Sequence, residues 1–472
     1  MRAAREFDLV IRNGTLITAD ATYPADVGIQ GERIAAIGEG LCGRQEIDAT
    51  GMLVTPGAVD VHVHLQMLVG PELVTADNFF TGTRAAAFGG TTTVIDFVEA
   101  TPDQSLAEAL AARRAQADGQ VVIDYGLHMT IAAADLAKLD EVPAMAEAGC
   151  ASFKLYLACE GFQLDDAGFV QALEAIRDVG GLPIVHAENG HVIRMLVDRY
   201  RAQGRTDPCW HPRSRPALME GEAAGRAIDL ATLAGTPLYV AHASCAEVVE
   251  RVAAARARGL PIYGETCPHY LLLTEALYSQ PGMEGVLPIC SPPLRGEADQ
   301  ARLWNALARG ELQVVATDHC PFTRADKGRG LHDFSRVPGG LPGVEARFPL
   351  LFAFGVRMDH ISPNRWVDLC CTAPARLFGL ERKGAIAVGY DADLVVFDPE
   401  HVLRLSPETL HDAERVGWTP FEGMEVTGWP AVTISKGEVI VNDGEFHGIA
   451  GRGCFVKLKR KYQLSNDKYQ KL

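Results

Sequence analysis

Val59-Asp60-Val61-His62-Val63-His64-Leu65 alternates apolar and polar side chains, which is the period of a β-strand. Every second residue of a strand points to the same face, so His62 and His64 project together. Two imidazoles on one face can share a metal ion; the plainer reading is a strand that happens to carry two histidines. The rest of the chain decides between them, because further ligand types recur at the ends of later strands.

From this stretch to about residue 375, short apolar strands alternate with helical segments. Strand ends are expected near His64, Phe97, His128, Tyr156, Glu188, His242, His269 and His319. Helices are expected between them over 82–88, 106–117, 134–148, 167–179, 222–234, 246–258 and 300–308, with another at 344–354 after the last strand. Eight strand–helix repeats predict an α/β fold, a (β/α)8 barrel of the TIM type, with its active site at the C-terminal ends of the strands. An open doubly wound sheet would place a glycine-rich phosphate loop after the first strand, and Gln66-Met67-Leu68-Val69 stands there instead.

Both flanks of this middle are β-rich. Asp8-Leu9-Val10-Ile11 leads through Asn13-Gly14, a hairpin signal, to Thr15-Leu16-Ile17-Thr18, and further short strands follow to about residue 55. Gly389–Phe397 reads as a turn and a buried strand, and Thr433–Val441 as a hairpin. The two ends are expected to meet as one β domain, since chain termini often lie close together. The last segment, Phe455 to Tyr462, interleaves Lys457, Lys459, Arg460 and Lys461 with apolar residues. It reads as a solvated arm or a segment resting on a neighbouring subunit.

Composition narrows the function. Apolar residues make up 47% and charged residues 22% of 472, the balance of a globular protein. A net charge of −16 argues against a nucleic-acid partner. Eleven cysteines with no C-x-x-C pair form neither a disulfide framework nor a thiolate zinc site, and fit a reducing compartment. With no apolar h-region near the N-terminus and no run long enough to span a bilayer, a cytoplasmic protein without membrane contact is expected.

Five strand ends carry residues suited to metal: His62 and His64, Lys154, His186 with Glu188, His242, and Asp318 with His319. Four histidines and one aspartate would hold two divalent ions only with an anionic bridge, and no glutamate sits in an obvious bridging place. A neutral Lys154 that takes up carbon dioxide becomes a carbamate with two oxygens to offer. Carbamate, Asp318 and a bridging hydroxide against two dications then leave the site mildly cationic. Singly, a strand-end histidine or a snorkelling lysine is unremarkable; agreement among five ends favours a metal site.

The combined motifs resemble the cyclic amidohydrolases, and most closely the dihydropyrimidinase and hydantoinase branch. They are Asp60–Leu65, Ser152–Leu157, Val185–Gly190, Glu265-Thr266-Cys267-Pro268 and Thr317–Phe322, joined by Thr81–Thr93, Ser291–Arg295 and Pro374–Gly379. The resemblance runs from about residue 8 to 455. It implies a barrel over 56–375, a β-sandwich built from 1–55 and 376–450, and a C-terminal arm over 451–472. It also implies a homotetramer and a binuclear centre, commonly zinc with manganese or cobalt as alternatives. The ligands by position are His62, His64, Lys154 (carboxylated), His186, His242 and Asp318.

What the resemblance implies chemically is hydrolytic opening of a small cyclic amide or imide, a dihydropyrimidine or 5-substituted hydantoin, to the N-carbamoyl amino acid. Hydroxide bridging the ions attacks, and Asp318 moves the proton. Ser291 and Gly339 are candidates for backbone contacts to the ring amide, and Leu65, Tyr156 and Phe162 for shaping the pocket, with simple packing as the alternative for these three. One departure stands out: Cys159 occupies the position of a tyrosine that usually supports the substrate oxyanion, and a thiol is a weak donor. Two rivals share the scaffold. An allantoinase keeps the metals but has a more polar pocket; non-catalytic assembly relatives lack the metal ligands, whereas this chain retains every ligand position.

Overall fold

Residues 6–56 form seven short strands that belong to two different sheets: β1 (Glu6–Arg12), β2 (Thr15–Ile17), β3 (Thr22–Pro24), β4 (Asp26–Gln30), β5 (Arg33–Gly38), β6 (Cys42–Asp48) and β7 (Leu53–Pro56). The computed structural model describes residues 6–70, 72–459 and 462. The expected hairpin at Asn13-Gly14 is not formed. β1 pairs with β4 and β6, while β2 pairs with β3 and β7. A tight two-residue hairpin of the Asn-Gly type needs positive φ at both central residues, and here only Asn13 has it, at 60°. Gly14 serves a close approach instead, since a Cβ there would lie 2.5 Å from Val54 Cγ2.

Gly57 alone joins β7 to the first barrel strand, β8 (Ala58–Val63). The barrel continues through β9 (Thr91–Val98), β10 (Asp124–Thr130), β11 (Ser152–Tyr156), β12 (Leu182–His186), β13 (Leu238–Val240), β14 (Ile262–Thr266) and β15 (Val314–Val315). These eight strands lie side by side in sequence order and pair in parallel. The ring closes where the His64 N–H donates to the His319 carbonyl at 2.8 Å, beside the Val63–His319 bridge. All six residues of β8 are buried. Its alternation therefore divides a polar barrel interior from an apolar face under the helices, not core from solvent.

The helices fall between the strands, with instructive differences from expectation. The strand expected to end at His269 stops at Thr266, and His269 lies in the short helix Pro268–Leu272. The segment expected over 134–148 is a 3-10 turn, Ala133–Glu141, followed by the helix Val142–Ala148. Pro143, in the first turn of that helix, has no N–H to carry a longer one through. The helix expected over 344–354 is only Arg347–Leu351, passing into a π turn at Phe352–Val356. Gly190–Ala202 is a further helix; Val192, Ile193, Leu196, Val197 and Tyr200 recur on one face at helical spacing, although only Gly190 and Ile193 are fully buried.

The chain finishes with β16 (Leu394–Arg404), β17 (Glu425–Ser435), β18 (Glu438–Asn442) and β19 (Glu445–Phe446). The hairpin expected at Thr433–Val441 is β17 with β18. β16 pairs with β7, Val396 opposite Val54, so one seven-stranded sheet runs β19-β18-β17-β16-β7-β2-β3. Leu9, Leu16, Val27 and Val54 share a core with Leu394, Val396 and Ile434, distinct from the barrel's. The two ends thus make one β domain.

Residues 453–458 run along the barrel of their own chain. Tyr125 N–H donates to Cys454 O at 3.0 Å, Val456 N–H to Tyr125 O at 2.7 Å, and Leu458 is buried against the barrel. Lys457 and Lys459 face solvent, and Arg460 and Lys461 lie outside the described residues. No helix among the described residues is long and apolar enough to cross a membrane.

Candidate metal centre and substrate cavity

The C-terminal ends of five barrel strands bring the expected ligand types to one mouth. His62 and His64, two residues apart on β8, both turn Nε2 toward Asp318 Oδ1, at 3.2 and 3.1 Å. Their ring centroids are 5.3 Å apart. His186 at the end of β12 and His242 just past β13 face one another, Nδ1 to Nε2, at 3.0 Å. Lys154 in β11 is buried near both groups, its ammonium over the faces of Phe97 and Tyr156. His242 and Asp318 sit at positive φ, 39° and 50°, a conformation uncommon outside glycine that His and Asp enter more readily than most and that recurs at functional sites.

Electrostatics prepares these groups for cations. Burial lowers the pKa of His64 and His242, which favours the neutral rings whose lone pairs can bind a metal. Burial also pushes the Lys154 ammonium down, toward the amine that can take up carbon dioxide. Burial opposes charge on Asp318, but His62, His64 and His242 outweigh it and hold the carboxyl well below its usual range. Outer partners fix two of the rings: Glu265 Oε1 lies 2.8 Å from His62 Nδ1, and Glu188 Oε2 lies 2.8 Å from His186 Nε2. Arg215 approaches Glu188 at 2.6 Å and, with His186, holds it near a pKa of about 2 against the effect of burial.

The donor set fits divalent ions. His62, His64 and Asp318 offer ligand atoms all within 4.8 Å of one another, and buried His242 Nδ1 has no hydrogen-bond partner among the described residues. A second acidic group, Asp124, Asp391 and Asp393, is already filled by Lys383, whose Nζ lies 2.7, 3.0 and 2.6 Å from the three carboxylates. His128 and His319 are not at the mouth of the site. His128 bonds Ser152 Oγ and Val61 O, and His319 donates to Asp77 at 3.1 Å.

A cavity of about 490 Å³ opens over the centre, large enough for a substituted ring. Ser291, Gly339, Cys159, Tyr156 and Phe162 line it. Leu65 does not; its side chain is fully buried, pressed against Gly82, where a Cβ would meet Leu65 Cδ2 at 2.3 Å. A residue one past His64 points the other way along the strand, out of the barrel interior. Reading the sequence also passed over Glu265 and Glu99. Glu265 stands in a quoted motif, but its partner His62 is 203 residues away. Glu99 follows β9 and lines the cavity.

Glu265 yields a direct test. It also accepts from Tyr239 OH and the His242 N–H, at 2.7 and 3.0 Å, so it positions two rings at once. Glu265→Gln is expected to weaken zinc binding about 10-fold or more, as loss of such outer partners does elsewhere. Competition with a chromophoric chelator measures this, and an unchanged zinc Kd would refute the positioning role.

A parallel barrel whose mouth gathers histidines, a buried lysine and an aspartate is the architecture of a metal-dependent hydrolase, and the chain belongs to the amidohydrolase family, matching it over residues 53–190 and 218–440. It is 46% identical to the D-hydantoinase of Geobacillus stearothermophilus over 459 residues, 96% of this chain and 97% of that protein. Among solved structures it is similar to the D-hydantoinase of Bacillus sp. AR9, with a TM-score of 0.93 and 48% identity over 96% of this chain and 99% of that one. The dihydropyrimidinase of Brevibacillus agri superposes equally well, with a TM-score of 0.93 and 45% identity over 96% and 98% of the two chains.

Proposed function

We propose that the protein opens cyclic amides or imides, 5-substituted hydantoins or dihydropyrimidines, by hydrolysis to N-carbamoyl amino acids. The observation that carries this is the convergence of His62 and His64 Nε2 on Asp318 beside a buried Lys154, under a cavity sized for a substituted ring. His62, His64, His186, His242, Asp318 and a carboxylated Lys154 would hold two divalent ions. Zinc is the expected metal, manganese or cobalt the alternatives. Bound there, such ions polarise a carbonyl oxygen and lower the pKa of water.

The chain's own residues do the rest. Asp318, ionised and facing the cavity, accepts the proton of the attacking water at a carboxylate oxygen and returns it to the leaving ring nitrogen. Ser291 and Gly339 lie side by side in the wall and would seat the ring amide through their backbones. Cys159 offers no strong donor to the oxyanion. Water adds across one ring C–N bond, oxygen to carbon and hydrogen to nitrogen.

The working form is proposed as a homotetramer in the cytoplasm. The family resemblance supports the assembly, and eleven free thiols support a reducing compartment. Initial rates of zinc-loaded protein on dihydrouracil, the two enantiomers of 5-phenylhydantoin and allantoin test the reaction. Opening of dihydrouracil or an aryl hydantoin is expected. Activity on allantoin alone would reassign the branch, and inertness toward every ring would refute the reading.

A further inference from the structure

Two polar groups in the cavity wall have no partner in the chemistry described so far. Glu99 stands at the C-terminal end of the second barrel strand and faces the cavity. Among the described residues no cationic nitrogen lies within ion-pairing reach of its carboxylate, and no hydrogen bond to it is formed. Arg113, close in sequence, is fully committed. Its Nε donates to Phe97 O at 3.0 Å, its Nη1 to Gln66 O at 3.1 Å and Gln116 at 2.7 Å, and its Nη2 to Asp96 at 2.5 Å. The Tyr156 ring is held between His186 and Phe162, with centroids 5.7 and 5.2 Å away, and its hydroxyl also has no partner among the described residues.

Around these groups the wall is apolar, with Met67, Leu68, Val69 and Phe162. Exposed Glu160 adds a second acid at the rim. A carboxylate left unpaired in such a wall is costly, and burial lifts the Glu99 carboxyl to about 7. A ligand cation would relieve that cost through a charge-assisted hydrogen bond. An alkyl or aryl arm would leave that cost in place.

We propose that Glu99 is a specificity-determining residue and that the enzyme takes cyclic amides whose exocyclic arm ends in a cation, an aminoalkyl or guanidinoalkyl group. The inference rests on the ring-opening reaction proposed above. The arm takes no part in the bond changes: water adds across the ring C–N bond, and an N-carbamoyl derivative of a basic amino acid leaves.

The test compares kcat/KM of the zinc-loaded full-length protein on 5-(4-aminobutyl)hydantoin, 5-pentylhydantoin, which has an arm of matching length, allantoin and dihydrouracil. The aminobutyl ring is expected to be preferred over the pentyl ring about 10- to 100-fold, the range of a hydrogen bond to a charged group. In Glu99→Gln that ratio is expected to fall to near one, and in Glu99→Leu to invert. The wild-type ratio decides alone should either variant fail to fold. Equal or better turnover of the pentyl ring by the wild type overturns the proposal, as does a ratio unmoved in both variants. Preference for allantoin over both overturns it in favour of a neutral donor arm. If dihydrouracil and all the hydantoins are inert, the ring-opening reading falls and takes this inference with it. If rings open without preference for the amine, only the Glu99 assignment falls.

Discussion

Removing divalent ions with a chelator is expected to abolish ring opening, and adding zinc or manganese to the stripped protein to restore it. The ligand groups were built for cations rather than for each other. His186 Nδ1 and His242 Nε2 face one another at 3.0 Å, and both His62 and His64 crowd one oxygen of Asp318. Burial disfavours charge on His64 and His242, which favours the neutral rings whose lone pairs can bind a metal. Without ions, neither the ring carbonyl nor the water is activated, and about 10³-fold is a floor for the loss, given how far the pKa of water must otherwise fall. Metal analysis of the stripped and reloaded protein, read beside the rates, checks this. Full activity in protein shown to be free of metal would remove the basis for the mechanism, whereas a chain that binds no divalent ion and gains no activity from added zinc or manganese would revive a non-catalytic role.

Asp318→Asn is expected to lower kcat by about 10²- to 10⁴-fold, the range general acid–base groups command. The amide keeps the size and one coordinating oxygen, so zinc content should hold near the wild-type level while proton transfer is lost. That pairing separates the two duties of Asp318. If kcat and zinc content fall together, the residue acts mainly as a ligand. Near-normal turnover in a zinc-replete variant would rule out the proton shuttle.

Much of this site was legible because it follows from strand periodicity. His62 and His64 share a face by spacing alone, and each later ligand type stands at or within a few residues of a strand end that apolar runs disclose. What stayed hidden depends on distant partners or on direction. Glu265 orients His62 across 203 residues, which no local pattern encodes. Leu65 has the chemistry of a pocket residue but the wrong parity. Glu99 looks like an ordinary acid after a strand, and only the folded barrel shows that it faces the cavity and lacks a partner. Asn13-Gly14 carries a hairpin signal, yet the chain uses it to change sheets.

The pairing of Val54 with Val396 has a consequence for synthesis. Strands β2, β3 and β7 leave the ribosome early, but their sheet has no centre until β16 and β17 emerge after the whole barrel. Domains usually fold in the order they are made. Here the first-made strands must wait, edges unpaired, for the last-made ones, and the barrel between them is free to close first. Gly57, the single residue between waiting strand and closing barrel, is where the two timetables meet.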